Sequence, residues 1–383
     1  MPEPRRVYLD HNATTPVRPE VAEVMTEAFR RWWGNPSSPY RSGREARAKL
    51  GEARETVAGL LGAESEGVVF TGSGTEADNL AILGIAAPAG AGSVVISEVE
   101  HPAVDAPAAL LAARGFEVTR IPVGPLGAVD PGAFSRALRE RTRIVSLIHG
   151  QNETGVLQPV REVGALCRER HIPFHTDAAQ TAGKFPLDLR EDPIDLVTVV
   201  GHKIYGPKGA GALVMGRGLP PLGPVTVGGG QEGGRRPGTE SVPLALGLAT
   251  ALRLAVQERD EEQPRLRRIR DRFEKRLVEL LDGVTVVGAG RERIPGTSYV
   301  LLAGVSGGAV SEELDRRGLE ISTGSACHSG SPEPSATLLA MGIPREAALG
   351  GIRIGFGKSN AEADGDLLAD TLAEVVPGLR RKG

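Results

Sequence analysis

The stretch VVFTGSGTEADNLAIL, residues 68–83, changes its backbone preference twice. Val68, Val69 and Phe70 are β-branched or aromatic and favour a strand. Gly72 and Gly74 then permit a tight turn, and a helix is predicted to start near Thr75. A strand that turns directly into a helix aims unpaired N–H groups and a positive dipole end at whatever fills the turn, which favours phosphate. Gly72, Gly74 and Ala77 also satisfy G-x-G-x-x-A. A nicotinamide-binding reading, with Glu98 as ribose partner, therefore stands beside a purely structural turn.

Outward from this unit the alternation continues. GVVF (67–70), SVVIS (93–97), FEVTRIPV (116–123), RIVSLI (143–148), IPFHTD (172–177), DLVTVV (195–200) and GALVM (211–215) alternate with longer helical patterns. That repetition predicts an α/β fold with a mainly parallel sheet covered on both faces. Ala46, Leu50, Ala53, Val57 and Leu60 recur every three or four positions, the spacing of one helix face packed on the sheet. A long helical stretch follows over residues 245–283, and Pro264 inside it predicts a kink or break, close to the domain boundary. Alternating charges around Leu266, Ile269 and Phe273 read as a solvated helix face rather than an RNA-binding patch. Shorter strands and helices then run from VTVVG (284–288) through GIRIGFG (351–357) to a last amphipathic helix, a smaller α+β unit. The division expected is a large domain over 15–255 and a small one over 256–383 joined by 1–14.

Composition narrows the function classes. The chain has 383 residues, 40% hydrophobic and 24% charged, the proportions of a soluble globular protein of two domains. Lys and Arg number 45 against 48 Asp and Glu, so no global charge draws it to nucleic acid or anionic lipid. No apolar run approaches a membrane span or follows MPEPRRVYLD as in a signal peptide, which leads to a cytoplasmic expectation. Two cysteines, Cys167 and Cys327, make no disulfide framework, in keeping with a reducing compartment.

Three motifs follow apolar strands directly: IHGQNETG, FHTDAAQ and VVGHKIYGPKG. Asn152, Asp177, Gln180, His202 and Lys203 thus fall at strand C-terminal ends, the edge where open α/β sheets bind ligands. Taken singly, Asp177 reads as a helix cap and Lys203 as a surface lysine. Together they are the set that pyridoxal 5′-phosphate requires: a lysine for a Schiff base, an acid for the pyridinium nitrogen, and a phosphate cup.

At these residues the sequence resembles the NifS/IscS-type cysteine desulfurases, pyridoxal-phosphate enzymes of aminotransferase class V with fold type I. The resemblance runs through YLDHNATTPV, GNPSS, FTGSGTEADN, EHPAV, HGQNETG, HTDAAQ, GHKIYGPKG, GGGQEGGRRPGT, STGSAC and IRIGFG, in the family's order. Cys327 lies 26 positions before Arg353, as in the family's long-loop group. The resemblance implies a large domain built on a seven-stranded, mainly parallel sheet, and a homodimer that converts L-cysteine to L-alanine. It also implies roles. Lys203 holds the cofactor, Asp177 keeps the ring nitrogen protonated, Gln180 meets the ring hydroxyl, and His101 stacks on the ring and shuttles protons. Gly74, Thr75 and His202 bind phosphate with Thr239 of the other subunit, while Arg353 and Asn152 hold the substrate carboxylate.

Cys327 stands in STGSACHSGSPEPS, whose Ser, Gly and Pro predict an accessible loop suited to a reactive thiol. Its thiolate would take the substrate sulfur as a persulfide for a sulfur-acceptor protein serving iron–sulfur cluster assembly or thiolation. His328 beside it is a candidate for lowering the thiol pKa. Cys167, at a helical apolar position in REVGALCRERH, reads as core packing. Pro173 separates His171 from His175, so no metal site is predicted. One departure stands out: Val200 occupies a position where many family members carry a Ser or Thr that donates to phosphate. The rival readings are a selenocysteine lyase, a cysteine sulfinate desulfinase, a class V aminotransferase, a low-turnover sulfur-relay scaffold and, last, a dehydrogenase.

Overall fold

In the computed structural model, residues 6–324 and 333–381 are described. Helices α1 (Pro19–Arg31) and α2 (Arg41–Leu61) follow a short β1 (Val7–Tyr8). Then come β2 (Val68–Thr71), α3 (Gly74–Ala86), β3 (Ser93–Ser97), α4 (Pro102–Ala113), β4 (Glu117–Ile121), α5 (Pro131–Ala137), β5 (Thr142–Ser146), α6 (Val160–Glu169), β6 (Phe174–Asp177), β7 (Leu196–Val200) and β8 (Gly211–Met215). Helix α7 (Val242–Leu280) leads to β9 (Val284–Val286), β10 (Thr297–Leu302), α8 (Gly307–Arg316), β11 (Leu319–Glu320), α9 (Ala336–Ala340), α10 (Arg345–Leu349), β12 (Gly351–Gly355) and α11 (Glu362–Arg380).

The seven-stranded sheet has the order β2-β8-β7-β6-β5-β3-β4. Only β8 runs against its neighbours, β2 and β7. Strands β3, β7 and β8 are buried at every position, as a sheet covered on both faces requires. Successive residues feed opposite layers: Val95, Val197, Val199 and Val214 join the cluster with α2, α6 and the start of α7, whereas Val94, Ile96, Leu196 and Leu213 join the one with α3 and α4. Ala46, Leu50, Ala53 and Val57 of α2 are buried in the first layer, and Leu60 packs against it.

A second cluster forms around the three-stranded sheet β12-β10-β9 and contains Val7, Leu9, Ile269, Phe273, Leu277, Val300, Ile352 and Leu368. Strand β1 reaches it by pairing in parallel with β11. Helix α7 belongs to both clusters, with Leu246, Leu248 and Leu252 in one and Ile269, Phe273 and Leu277 in the other. The break expected at Pro264 does not occur, since α7 runs through it as one 39-residue helix. Pro264 and Asp260 are both exposed, so the Asp260 carbonyl that loses its donor is open to solvent, and packing on either side holds the helix together. Among the described residues, no helix is long and apolar enough to cross a membrane.

Candidate active site

Parallel strands send their C-terminal ends to one edge, and the loops there surround a cavity of about 480 Å³. Gly74, Thr75, His101, Asn152, Asp177, Gln180, His202, Lys203 and Arg353 all line it. Residues far apart in sequence meet because β2, β3, β5, β6 and β7 each contribute the segment that follows them.

One wall is the start of α3. Ser73 caps the helix by accepting from Glu76 N at 3.1 Å, which leaves the N–H groups of Gly74 and Thr75 without an intrahelical acceptor. A Cβ on Gly74 would lie 2.6 Å from Cγ2 of Val200, so only glycine lets the backbone approach here. Val200 is buried and spends its side chain on this contact. His202 shares a hydrogen bond of 3.2 Å between Nδ1 and the Thr14 hydroxyl, and burial followed by Lys203, Lys208 and Lys184 pushes its pKa down to about 4. It is a neutral ring at physiological pH.

The floor is acidic and buried. Asp177 is buried, accepts from Ala179 N at 2.8 Å, and has its pKa raised chiefly by burial. Beneath it Asp78 is also buried, and burial together with the Asp177 charge drives its proton affinity up. His175 bonds to Ser146 at 2.9 Å and Thr198 at 3.0 Å, and burial lowers its pKa to about 3. His175 is thus committed inside the sheet, and among the described residues no three or more His, Cys, Asp or Glu side chains converge in a group that could hold a metal ion.

Lys203 Nζ donates to the carbonyls of Asn12 at 2.5 Å and Ala13 at 2.8 Å. Burial, then the charge of Arg353, brings its pKa down to about 8. Gln180 Nε2 donates to the same Asn12 carbonyl at 2.8 Å. His101 caps α4, its Nδ1 accepting from Ala103 N at 3.1 Å, which places the proton of the neutral ring on Nε2. Burial lowers its pKa, against the opposing pull of Asp177.

Arg353 enters from β12. One terminal nitrogen is 2.8 Å from Asp10 Oδ1, the other is 3.4 Å from the Asn152 carbonyl, and Nε has no partner among the described residues. Ser322 and Gly324 close the cavity beside it. Gly324 has φ +80°, and a Cβ on it would lie 2.7 Å from the Tyr299 ring, while the Tyr299 hydroxyl donates to the Thr323 carbonyl at 2.8 Å.

Asp10, Asn12 and Thr14, which the sequence did not single out, belong to YLDHNATTPV, where a polar run directly follows a strand. Thr239 lines a different cavity of the same chain, with Thr71 and Arg236. Cys327 and His328 lie outside the described residues. Cys167 is buried, and burial pushes its thiol up to about 12, which agrees with core packing.

The residues fit pyridoxal phosphate. A glycine-lined helix start with free N–H groups suits an oxyanion, and a buried carboxylate at the cavity that accepts from the Ala179 N–H suits a protonated ring nitrogen.

The family described as Aminotransferase class-V matches residues 7–368. A cysteine desulfurase IscS of Dictyoglomus turgidum is 41% identical over 98% of this chain and 96% of its own. A cysteine desulfurase of Gluconacetobacter diazotrophicus is 43% identical over 98% of this chain and 94% of its own. Among solved structures, a NifS-like protein superposes with TM-score 0.91 at 32% identity, covering 98% of this chain and all (100%) of that one.

Proposed function

The chain belongs to the aminotransferase class-V family, and from that premise we propose that it is a pyridoxal 5′-phosphate-dependent cysteine desulfurase. It turns L-cysteine and an acceptor thiol into L-alanine and a persulfide. One observation carries the reading: Lys203, Asp177 and Arg353 converge on a single cavity with Ser322 and Gly324, the described stem of the segment that holds Cys327.

When bound, the cofactor supplies an electron-accepting ring that labilises bonds around the substrate α-carbon. Lys203 would hold it, and Asp177, a buried anion, would keep its ring nitrogen protonated. The N–H groups of Gly74 and Thr75, His202, and the partner subunit's Thr239 would bind its phosphate; Gln180 would bind its hydroxyl. Arg353 and Asn152 receive the substrate carboxylate. His101 would stack on the ring; with Nδ1 accepting from Ala103 N, its neutral form carries one proton, on Nε2, and donates a hydrogen bond from there. The Cys327 thiolate attacks the substrate sulfur; a sulfur–sulfur bond forms, the substrate carbon–sulfur bond breaks, and the carbon takes a proton to become alanine.

The same reading makes the protein a cytoplasmic homodimer that passes sulfur to an iron–sulfur scaffold or sulfur carrier, without direct contact to nucleic acid or membrane. It divides the chain into a cofactor-binding domain over 15–255 and a small domain over 256–383 with 1–14. The separate hydrophobic clusters and the β1–β11 pairing support that division. The test is alanine formed from L-cysteine by cofactor-loaded protein with a thiol reductant, wild type against Cys327→Ala. Alanine from the wild type alone is the expected result; equal alanine from both removes Cys327 from the reaction, and none from either overturns the reading.

A further inference from the structure

Behind Lys203 lies a second, smaller cavity of about 80 Å³. Lys203 and Asn12 line both cavities and form the wall between them. Its other sides come from α7, the segment after β1, and the loop before β10. Much of the lining is apolar: Ile204, Ile294 and Phe356 are each almost wholly buried. Lys184 also lines this cavity.

Two ammonium groups at the cavity, Lys184 and Lys203, have no ion pair among the described residues, and Lys203 is engaged by the Asn12 and Ala13 carbonyls. Glu258 accepts from Arg18 at 2.7 Å and also from Lys358. Glu262 accepts from Arg265 at 2.9 Å. Both lining carboxylates are therefore already matched to cations. Lys184 has no hydrogen bond or ion pair from its side chain among the described residues, and its pKa falls to about 8 through burial and the repulsion of Lys203. His11 adds no charge, since burial and the charge of Lys184 push it down to about 4. A lysine without a counter-ion in an apolar enclosure is costly unless a ligand supplies the negative charge.

We propose that this cavity is a binding site for a small monocarboxylate with a short apolar tail, its carboxylate held by Lys184 and its tail packed against Ile204, Ile294 and Phe356. With Lys203 committed to the Asn12 and Ala13 carbonyls, Lys184 is the ammonium left for a ligand and calls for a single negative charge, and the apolar lining disfavours a fully hydrated inorganic ion. The site is distinct from the substrate-carboxylate position at Arg353, which faces the other cavity.

Calorimetric titration of the cofactor-loaded protein with sodium butyrate tests this. Saturable binding with a Kd below about 10 mM is expected. It should persist in Arg353→Met, weaken at least about tenfold in Lys184→Met, and stay within about threefold in Lys184→Arg, as loss of a charge-assisted contact dictates. Butyramide, the neutral analogue, should bind at least about tenfold more weakly than butyrate. The Lys184→Arg variant guards against misfolding of Lys184→Met, because a folded protein that keeps the charge keeps the site. No saturable butyrate binding, binding lost in Arg353→Met but kept in Lys184→Met, or inorganic phosphate binding as tightly as butyrate would each overturn the proposal. None of these outcomes bears on alanine formation.

Discussion

Asp10 and Arg353 are 343 positions apart in the chain and 2.8 Å apart in the cavity. The ion pair holds one terminal nitrogen of the guanidinium while Nε carries no partner among the described residues. Asp10 thus aims the arginine and leaves part of it for an incoming carboxylate.

Asp10→Asn is expected to raise KM for L-cysteine by about tenfold, the cost of a weakened charge-assisted hydrogen bond of about 1.5 kcal/mol, with a smaller change in kcat. Steady-state kinetics check this. An unchanged KM shows that Arg353 is positioned without Asp10.

Covalent attachment of the cofactor needs a neutral Lys203 amine. With its pKa lowered to about 8 from 10.5, the amine loses its proton as pH rises through 8. The rate at which apoprotein combines with pyridoxal phosphate should therefore climb to a plateau with a midpoint near 8. Arg353→Met removes a neighbouring positive charge and should move that midpoint upward. Stopped-flow absorbance across pH 6–11 measures both.

Val200→Ser places a hydroxyl beside the N–H groups of Gly74 and Thr75. Cofactor affinity should improve by roughly fivefold, about 1 kcal/mol for one added hydrogen bond, read by titration of apoprotein. Thermal stability should fall slightly, because Val200 is buried and loses a methyl contact with Gly74. Unchanged or weaker affinity counts against the idea that Val200 leaves a phosphate contact unmade.

Tyr299→Phe deletes the donor to the Thr323 carbonyl and leaves the ring against Gly324. Stability should drop by about 1 kcal/mol, and kcat should fall several-fold with cofactor affinity unchanged, as expected if Tyr299 sets the stem of the Cys327 segment. A kcat equal to wild type would falsify that role.

Cys167 should resist alkylation in the native protein and react only after unfolding, because burial holds its thiol near 12. Mass spectrometry of iodoacetamide-treated protein reads this directly.

Much of the architecture was legible because strand and helix periodicities are local. Each of the seven β-branched runs between GVVF and GALVM became a strand of the large sheet. Asp177, Lys203 and their neighbours were legible because strand C-terminal ends in such a sheet share one edge. The break at Pro264 failed to occur because its helix-breaking tendency is also local, whereas the packing that carries α7 through as one helix comes from two distant clusters. The ion pair of Asp10, the carbonyls of Asn12 and Ala13 under Lys203, and the bond from Thr14 to His202 were invisible for the same reason. Each joins the first residues of the chain to ones far downstream, and no spacing within a sequence window encodes such a meeting.

Synthesis proceeds from one end, so Asp10 and Asn12 are made long before most of their partners. Asn12 waits for Thr297, its side-chain partner 285 positions later, and Asp10 for Arg353. The large sheet, whose pairings close by Met215, has all its strands well before either bond is available. A nascent chain can therefore shape its sheet while its site is still incomplete, and the chemistry switches on only in the last stretch of translation.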